Sequence, residues 1–108
     1  MRLRHILAAA AGALLLTVSA PYSASAAVGE FEYRGPLLGS HTLLDPASGE
    51  CINIPEATEL LPAQSPWNKT TSTATVFLDF DCDGDTYVVL NPGAKRGPLL
   101  KFRSVVFS

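Results

Sequence analysis

From residue 27 onward the sequence predicts an all-β domain, folded as a sandwich of two short sheets, and three observations carry that expectation. No stretch of ten or more residues in this part has helical spacing without Pro or Gly. Short runs rich in β-branched and aromatic residues recur instead. Turn chemistry separates them, because Pro supplies a fixed φ while Gly, Asn and Asp tolerate a positive one.

The residues before that part have another character. Met1 is followed by Arg2, Arg4 and His5, then by an apolar run over 6–18 broken only by Thr17, then by small residues. This is the charged, apolar and small-residue order of an export signal. The run is shorter than the ~20 residues a membrane-spanning helix needs, and Pro21 follows it closely, so it reads as a cleaved signal and not as an anchor. Ala24-Ser25-Ala26 offers the small side chains a signal peptidase admits, which places cleavage between Ala26 and Ala27. Residues 1–26 are therefore expected to leave, and 27–108 to form one secreted domain.

Loss of the signal removes Arg2 and Arg4 but none of the ten acids, so the net charge moves from −2 to −4. No basic footprint for nucleic acid or anionic lipid is present, and the expectation is a soluble monomer without a membrane anchor. A domain this small gains only a few kcal/mol of net stability from its core. Cys51 and Cys82 are the only cysteines, and an even count in an exported chain reads as one disulfide. The alternatives are two free thiols or half of a metal site, for which no further ligands stand nearby.

The predicted strands, in order, are 30–33, 41–44, 50–54, 73–79, 86–90 and 102–107. Arg34-Gly35-Pro36, Asp45-Pro46, Asp83-Gly84 and Asn91-Pro92-Gly93 supply turns between them. The only segment with the spacing of a helical turn is 56–61. A shift of 36 sets Cys51-Ile52-Asn53-Ile54 against Tyr87-Val88-Val89-Leu90. A shift of 39 sets Leu60-Leu61 and Ser65 against Leu99-Leu100 and Ser104. Both point to two copies of one supersecondary unit. An exact repeat, Arg34-Gly35-Pro36-Leu37-Leu38 and Arg96-Gly97-Pro98-Leu99-Leu100, implies a third offset of 62 that agrees with neither.

Residues 68–107 carry Ala74-Thr75-Val76-Phe77, Asp81-Cys82-Asp83-Gly84, Tyr87, Asn91-Pro92-Gly93 and Phe102-Arg103-Ser104-Val105. This pattern resembles the βγ-crystallin Greek-key motif, most of all its small secreted actinobacterial versions. Phe77, Cys82 and Gly84 match the family's aromatic, aromatic-or-cysteine and glycine signature. The resemblance implies a first hairpin folded sharply over its sheet, with Gly84 at the fold because no Cβ fits there. It implies that Ser104 ties that hairpin down, that Ser65 is its counterpart in a first copy, and that the second Greek key covers about 73–108.

Members of that family include calcium-binding proteins, metalloproteinase inhibitors and killer-toxin-like antimicrobial proteins, and a shared fold does not choose among them. The family's calcium pattern, counted back from Ser65 and Ser104, falls on Leu60-Leu61 and Leu99-Leu100, which offer no side-chain oxygen. Placed instead on Asn68, it puts Lys69 where a ligand belongs. A second calcium candidate is Asp79, Asp81, Asp83 and Asp85 around Gly84. Position twelve of that loop is Leu90 where an EF-hand has a bidentate Glu, so a solvent-facing acidic hairpin is the simpler reading.

Catalysis finds little support. His41 is the only histidine beyond the signal, no Gly-x-Ser-x-Gly elbow occurs, and neighbouring acids on a hairpin form no enclosed cleft. The expectation is a non-enzymatic protein without a cofactor. Asn68-Lys69-Thr70 fits a glycosylation pattern but reads as polar turn residues, and Trp67, the only tryptophan, reads as core, with an exposed binding anchor as the alternative. The binding segment predicted is 91–100, where Pro92, Gly93, Gly97 and Pro98 shape a loop from which Lys95 and Arg96 project. The leading expectation is a secreted protein that inhibits an extracellular protease. The alternatives are a structural or stress-related protein stabilised by calcium, and an antimicrobial agent of the killer-toxin kind.

Overall fold

The computed structural model describes residues 26–108, so the predicted signal lies outside the described residues except for Ala26, whose backbone bridges to Ala47. Eight strands alternate with turns: β1 Gly29–Arg34, β2 Ser40–Leu44, β3 Cys51–Asn53, β4 Ala63–Thr70, β5 Ala74–Phe77, β6 Tyr87–Leu90, β7 Lys101–Phe102 and β8 Ser104–Phe107. They form two antiparallel four-stranded sheets, ordered β2-β1-β4-β7 and β3-β8-β5-β6. The all-β two-sheet architecture is the one the sequence predicts.

The order has an internal symmetry. In the first half β4 returns beside β1 while β3 crosses to the other sheet; in the second half β8 returns beside β5 while β7 crosses back. A fourth strand lying beside the first is the Greek-key arrangement. Each half thus lends its third strand to the other, so neither sheet is complete on its own.

This symmetry decides between the offsets. Ser65, the third residue of β4, and Ser104, the first of β8, lie in equivalent strands as the shift of 39 requires, but among the described residues only the Ser104 hydroxyl ties down a hairpin. The shift of 36 is wrong, because it matches β3 with β6, whereas β3 is equivalent to β7 and β6 to β2. The repeated pentapeptide falls once in the β1–β2 hairpin and once before β7, which are unrelated places in the fold.

Alternation along the strands builds the core. Phe31 and Tyr33 of β1, Ala74 and Val76 of β5, and Val105 and Phe107 of β8 face inward with Ile54, Leu90 and Phe102. Period-two burial is what a half-buried sheet demands, since successive side chains point to opposite faces. Where β1 begins, Gly29 has φ 120° and an added Cβ would lie 2.5 Å from the Lys69 carbonyl oxygen, so the chain crosses β4 there only as glycine.

Three local expectations are corrected. The segment 56–61 forms no helix among the described residues: Pro55 and Pro62 bracket it, and Thr58 and Leu61 close a tight turn with Thr58 N–H donating to the Leu61 carbonyl at 2.8 Å. The stretch 102–107 is not one strand, because the chain corners at Arg103 and splits into β7 and β8 on different sheets. The Arg103 guanidinium fixes that corner by donating to the carbonyls of Thr58, Glu59 and Leu78 at 2.7–3.0 Å. Finally β4, the longest strand, has no counterpart among those predicted. Pro66 argues against a strand, yet it sits at a bulge, where the pairing Glu32↔Trp67 jumps to Arg34↔Gln64 and Ser65 takes φ 54°. A proline costs no ladder bond at such a place.

Candidate functional site

The folded hairpin between β5 and β6 is where most of the motif residues meet. Phe80–Cys82 makes a single tight turn with Asp81 at φ 63°, and Gly84 follows at φ 84°, where any Cβ would collide with the Asp79 carboxylate. Ser104 is fully buried beneath it; its Oγ accepts from the Cys82 N–H at 2.8 Å and donates to the Asp79 carbonyl at 2.6 Å. Cys51 and Cys82 are joined in a disulfide, Cα to Cα 5.8 Å, tying the turn to edge strand β3. Phe77 and Tyr87 face each other on the two strands below, ring centres 5.6 Å apart.

The four aspartates do not converge. Asp81 Oδ1 accepts from the Asn53 amide at 2.9 Å while its own N–H donates to Asn53 Oδ1 at 2.7 Å; Asp83 accepts from the Gly84 N–H at 2.8 Å. Among the described residues no three acidic, imidazole or thiol groups gather as a metal site would require. The melting temperature is therefore expected to be the same with millimolar-range calcium as with chelator, since only a ligand bound by the native state raises it. A rise in calcium would assign the aspartates a cation.

Loop 91–100 is stitched to β4. Gly93 N–H donates to the Asn68 carbonyl at 2.6 Å, Asn68 N–H to the Ala94 carbonyl at 2.9 Å, and Arg96 N–H to the Pro66 carbonyl at 2.9 Å. Asn68 itself is buried and saturated: its amide donates to the carbonyls of Ser72 and Leu90, and its Oδ1 accepts from the Thr70 N–H and hydroxyl. The glycosylation pattern at Asn68 is thus a structural device holding the base of the loop.

Trp67 is not core. The bulge at Ser65 sets Pro66, Asn68 and Thr70 inward and turns Trp67 and Lys69 outward. The indole is half-buried between two ammonium groups, Lys69 at 4.6 Å and Lys95 at 4.3 Å from the ring centre. Lys69 is also held by Glu32 and by Glu30, at 3.6 Å for the latter. Its hydrogen bond holds the Glu32 carboxyl below the ordinary range, and the same contact raises the Lys69 ammonium. Neither Lys95 nor Arg96 forms a direct salt bridge among the described residues, although the Lys95 charge also helps to lower the Glu32 carboxyl. Together with Glu32, Arg34, Ser40, His41 and Thr42 these side chains border an open groove of about 480 Å³ across the outer face of the first sheet.

His41 lines the same groove on its β2 side. Its ring stacks on Tyr33, centres 5.7 Å apart, and Nδ1 lies 3.3 Å from Glu56 Oε2. The Tyr33 hydroxyl donates to Glu56 Oε1 at 2.6 Å, and burial followed by that bond pushes the phenol well above its usual range. The cluster clamps the β3–β4 connection to β1 and β2. No signal in the chain distinguished this clamp from an ordinary lone histidine, because Glu56 lies far from His41 in sequence. Compared with known proteins, the chain matches no family model, no curated protein and no solved structure.

Proposed function

We propose that this is a secreted, non-enzymatic protein of the βγ-crystallin kind that binds an extracellular protein, most plainly a protease, through loop 91–100. The observation that carries the reading is the stitching of that loop to β4, with Lys95 and Arg96 left exposed beside Trp67. A loop held in one conformation before contact loses little entropy on binding, which is what an inhibitor requires. The folded hairpin, with Ser104 beneath it and Gly84 at its fold, supports the family assignment. The disulfide and the lack, among the described residues, of any helix able to cross a membrane are compatible with work outside the cell.

The test is residual activity of purified secreted zinc metalloproteases incubated with the protein. Inhibition is expected to be stoichiometric, and Lys95→Ala and Arg96→Ala are each expected to weaken it by about tenfold, as central interface cations do. No inhibition at large molar excess would sink the protease assignment.

A further inference from the structure

We infer that the groove on the outer face of the first sheet takes an extended acidic peptide segment, its carboxylates meeting Arg34, Lys95 and Arg96 and an apolar side chain resting at the edge of Trp67. This rests on the reading of the protein as a binder of other proteins, and it names the chemistry of what is bound.

Charge distribution is the first support. The chain beyond the signal is acidic, yet five of its six cations lie on the first sheet or on the loop docked to it: Arg34 on β1, Lys69 on β4, Lys95 and Arg96 on the loop, Lys101 on β7. The sixth, Arg103, is spent on backbone carbonyls. Asp79, Asp81, Asp83 and Asp85 lie in the hairpin of the other sheet. The molecule is therefore electrically two-sided, and an acidic ligand is steered to the groove. Glu30 and Glu32 on this face share the single Lys69 ammonium, which leaves one negative charge against the three cations Arg34, Lys95 and Arg96.

Shape and spacing select the class of ligand. The groove is open, and its unpaired cations stand along it, on β1 at one side and on the loop at the other, two strand spacings or about 10 Å apart. A single small anion cannot reach both sides, whereas carboxylates on an extended chain do. Stacking of a sugar ring or a nucleobase is disfavoured, because the indole already carries Lys69 and Lys95 against it. Ser40 and Thr42 on edge strand β2, together with Ser65, add hydroxyls for main-chain groups of the peptide.

The single tryptophan makes the test direct. The purified protein is titrated with capped peptides of alternating Glu and Leu, and indole emission is followed, with alternating Lys and Leu as the control. A saturable change is expected with the acidic peptide alone, weakening steeply as salt rises. The Lys95→Gln/Arg96→Gln double variant is expected to bind about tenfold more weakly. Lys101→Gln is expected to bind as well as the parent, since that ammonium is engaged by Gln64 and the Pro98 carbonyl. Absence of a saturable change, or equal affinity in the double variant, would overturn the proposal even if proteases are inhibited. Acidic peptide binding without protease inhibition would retain it and discard the protease. Tighter binding of oligogalacturonate than of the peptide would assign the groove to anionic sugars. Emission that changes with protein concentration alone would assign it to the aspartate hairpin of a second copy. Either result would overturn the peptide.

Discussion

Phe31→Ala is expected to destabilise the protein by about 3–5 kcal/mol, enough to leave it largely unfolded near body temperature. Phe31 is fully buried on β1, and its ring meets Phe107 of β8 edge-on at 5.3 Å and Phe102 of β7 at 6.0 Å. One side chain thus packs against both sheets and against a strand exchanged between the halves. Its removal loses the transfer energy of the ring and leaves a cavity that its rigid aromatic neighbours Phe107, Phe102 and Tyr33 do not collapse to fill. For a domain of this size each kcal/mol lowers the melting temperature by roughly 4–8 °C, so a fall of at least about 12 °C is expected. Urea unfolding should show a lower midpoint at an unchanged slope, as for a change of stability alone. The contrasting variant is Leu99→Ala, which alters a side chain 95% exposed and should stay within about 0.5 kcal/mol of the parent. A loss below about 1 kcal/mol at Phe31 would mean that the sheets are not joined through this ring.

The parts of this fold that were legible in sequence are those where one local signal has one structural meaning. Runs rich in β-branched and aromatic residues, the turn pairs, and an even pair of cysteines in a chain expected to be exported gave the class, five of the eight strands nearly in place, and the bridge. What escaped depends on non-local compensation. Pro66 counts against a strand until the bulge at Ser65 removes the need for its N–H, and the same bulge decides that Asn68 goes in and Trp67 comes out. The corner at Arg103 is invisible along 102–107, because what turns the chain is a guanidinium reaching three distant carbonyls. The offset of 39 was informative since it set residues of two equivalent strands against each other, whereas the offset of 36 matched only apolar character, which any two strands share. For the candidate site, Lys95 and Arg96 were visible as projecting charges in a shaped loop. Their neighbour Trp67 was open to both a core and an exposed reading, because its position on the outer face follows from that same register shift.

Loss of the Cys51–Cys82 bridge, as in the double Ser variant, is expected to lower stability by about 3–4 kcal/mol, the loop-closure value for the 31-residue separation of the two cysteines. The bridge lies within the second sheet and its hairpin, so it does not fasten the two sheets together; it fastens the turn at Phe80–Cys82 to edge strand β3. That turn is held by two further devices, the reciprocal bonds of Asn53 with Asp81 and the buried Ser104 hydroxyl between Cys82 and Asp79. The native hairpin should therefore survive without the bridge, with the loss arising from the freer unfolded chain. Two measurements separate this from local melting. Hydrogen exchange at the backbone amide of position 82 should stay protected in the double variant, since Ser104 Oγ still accepts it, and denaturant slope should rise as the unfolded chain expands. In the bridged protein Ser104→Ala leaves one donor and one acceptor unpaired and should cost about 1–3 kcal/mol. Combined with loss of the bridge its cost should grow, because the turn then has only Asn53 to hold it and neighbouring changes are not additive. A Ser104→Ala cost that vanishes once the bridge is removed, or immediate exchange at the position-82 amide in the double variant, would show that the disulfide alone shapes the hairpin.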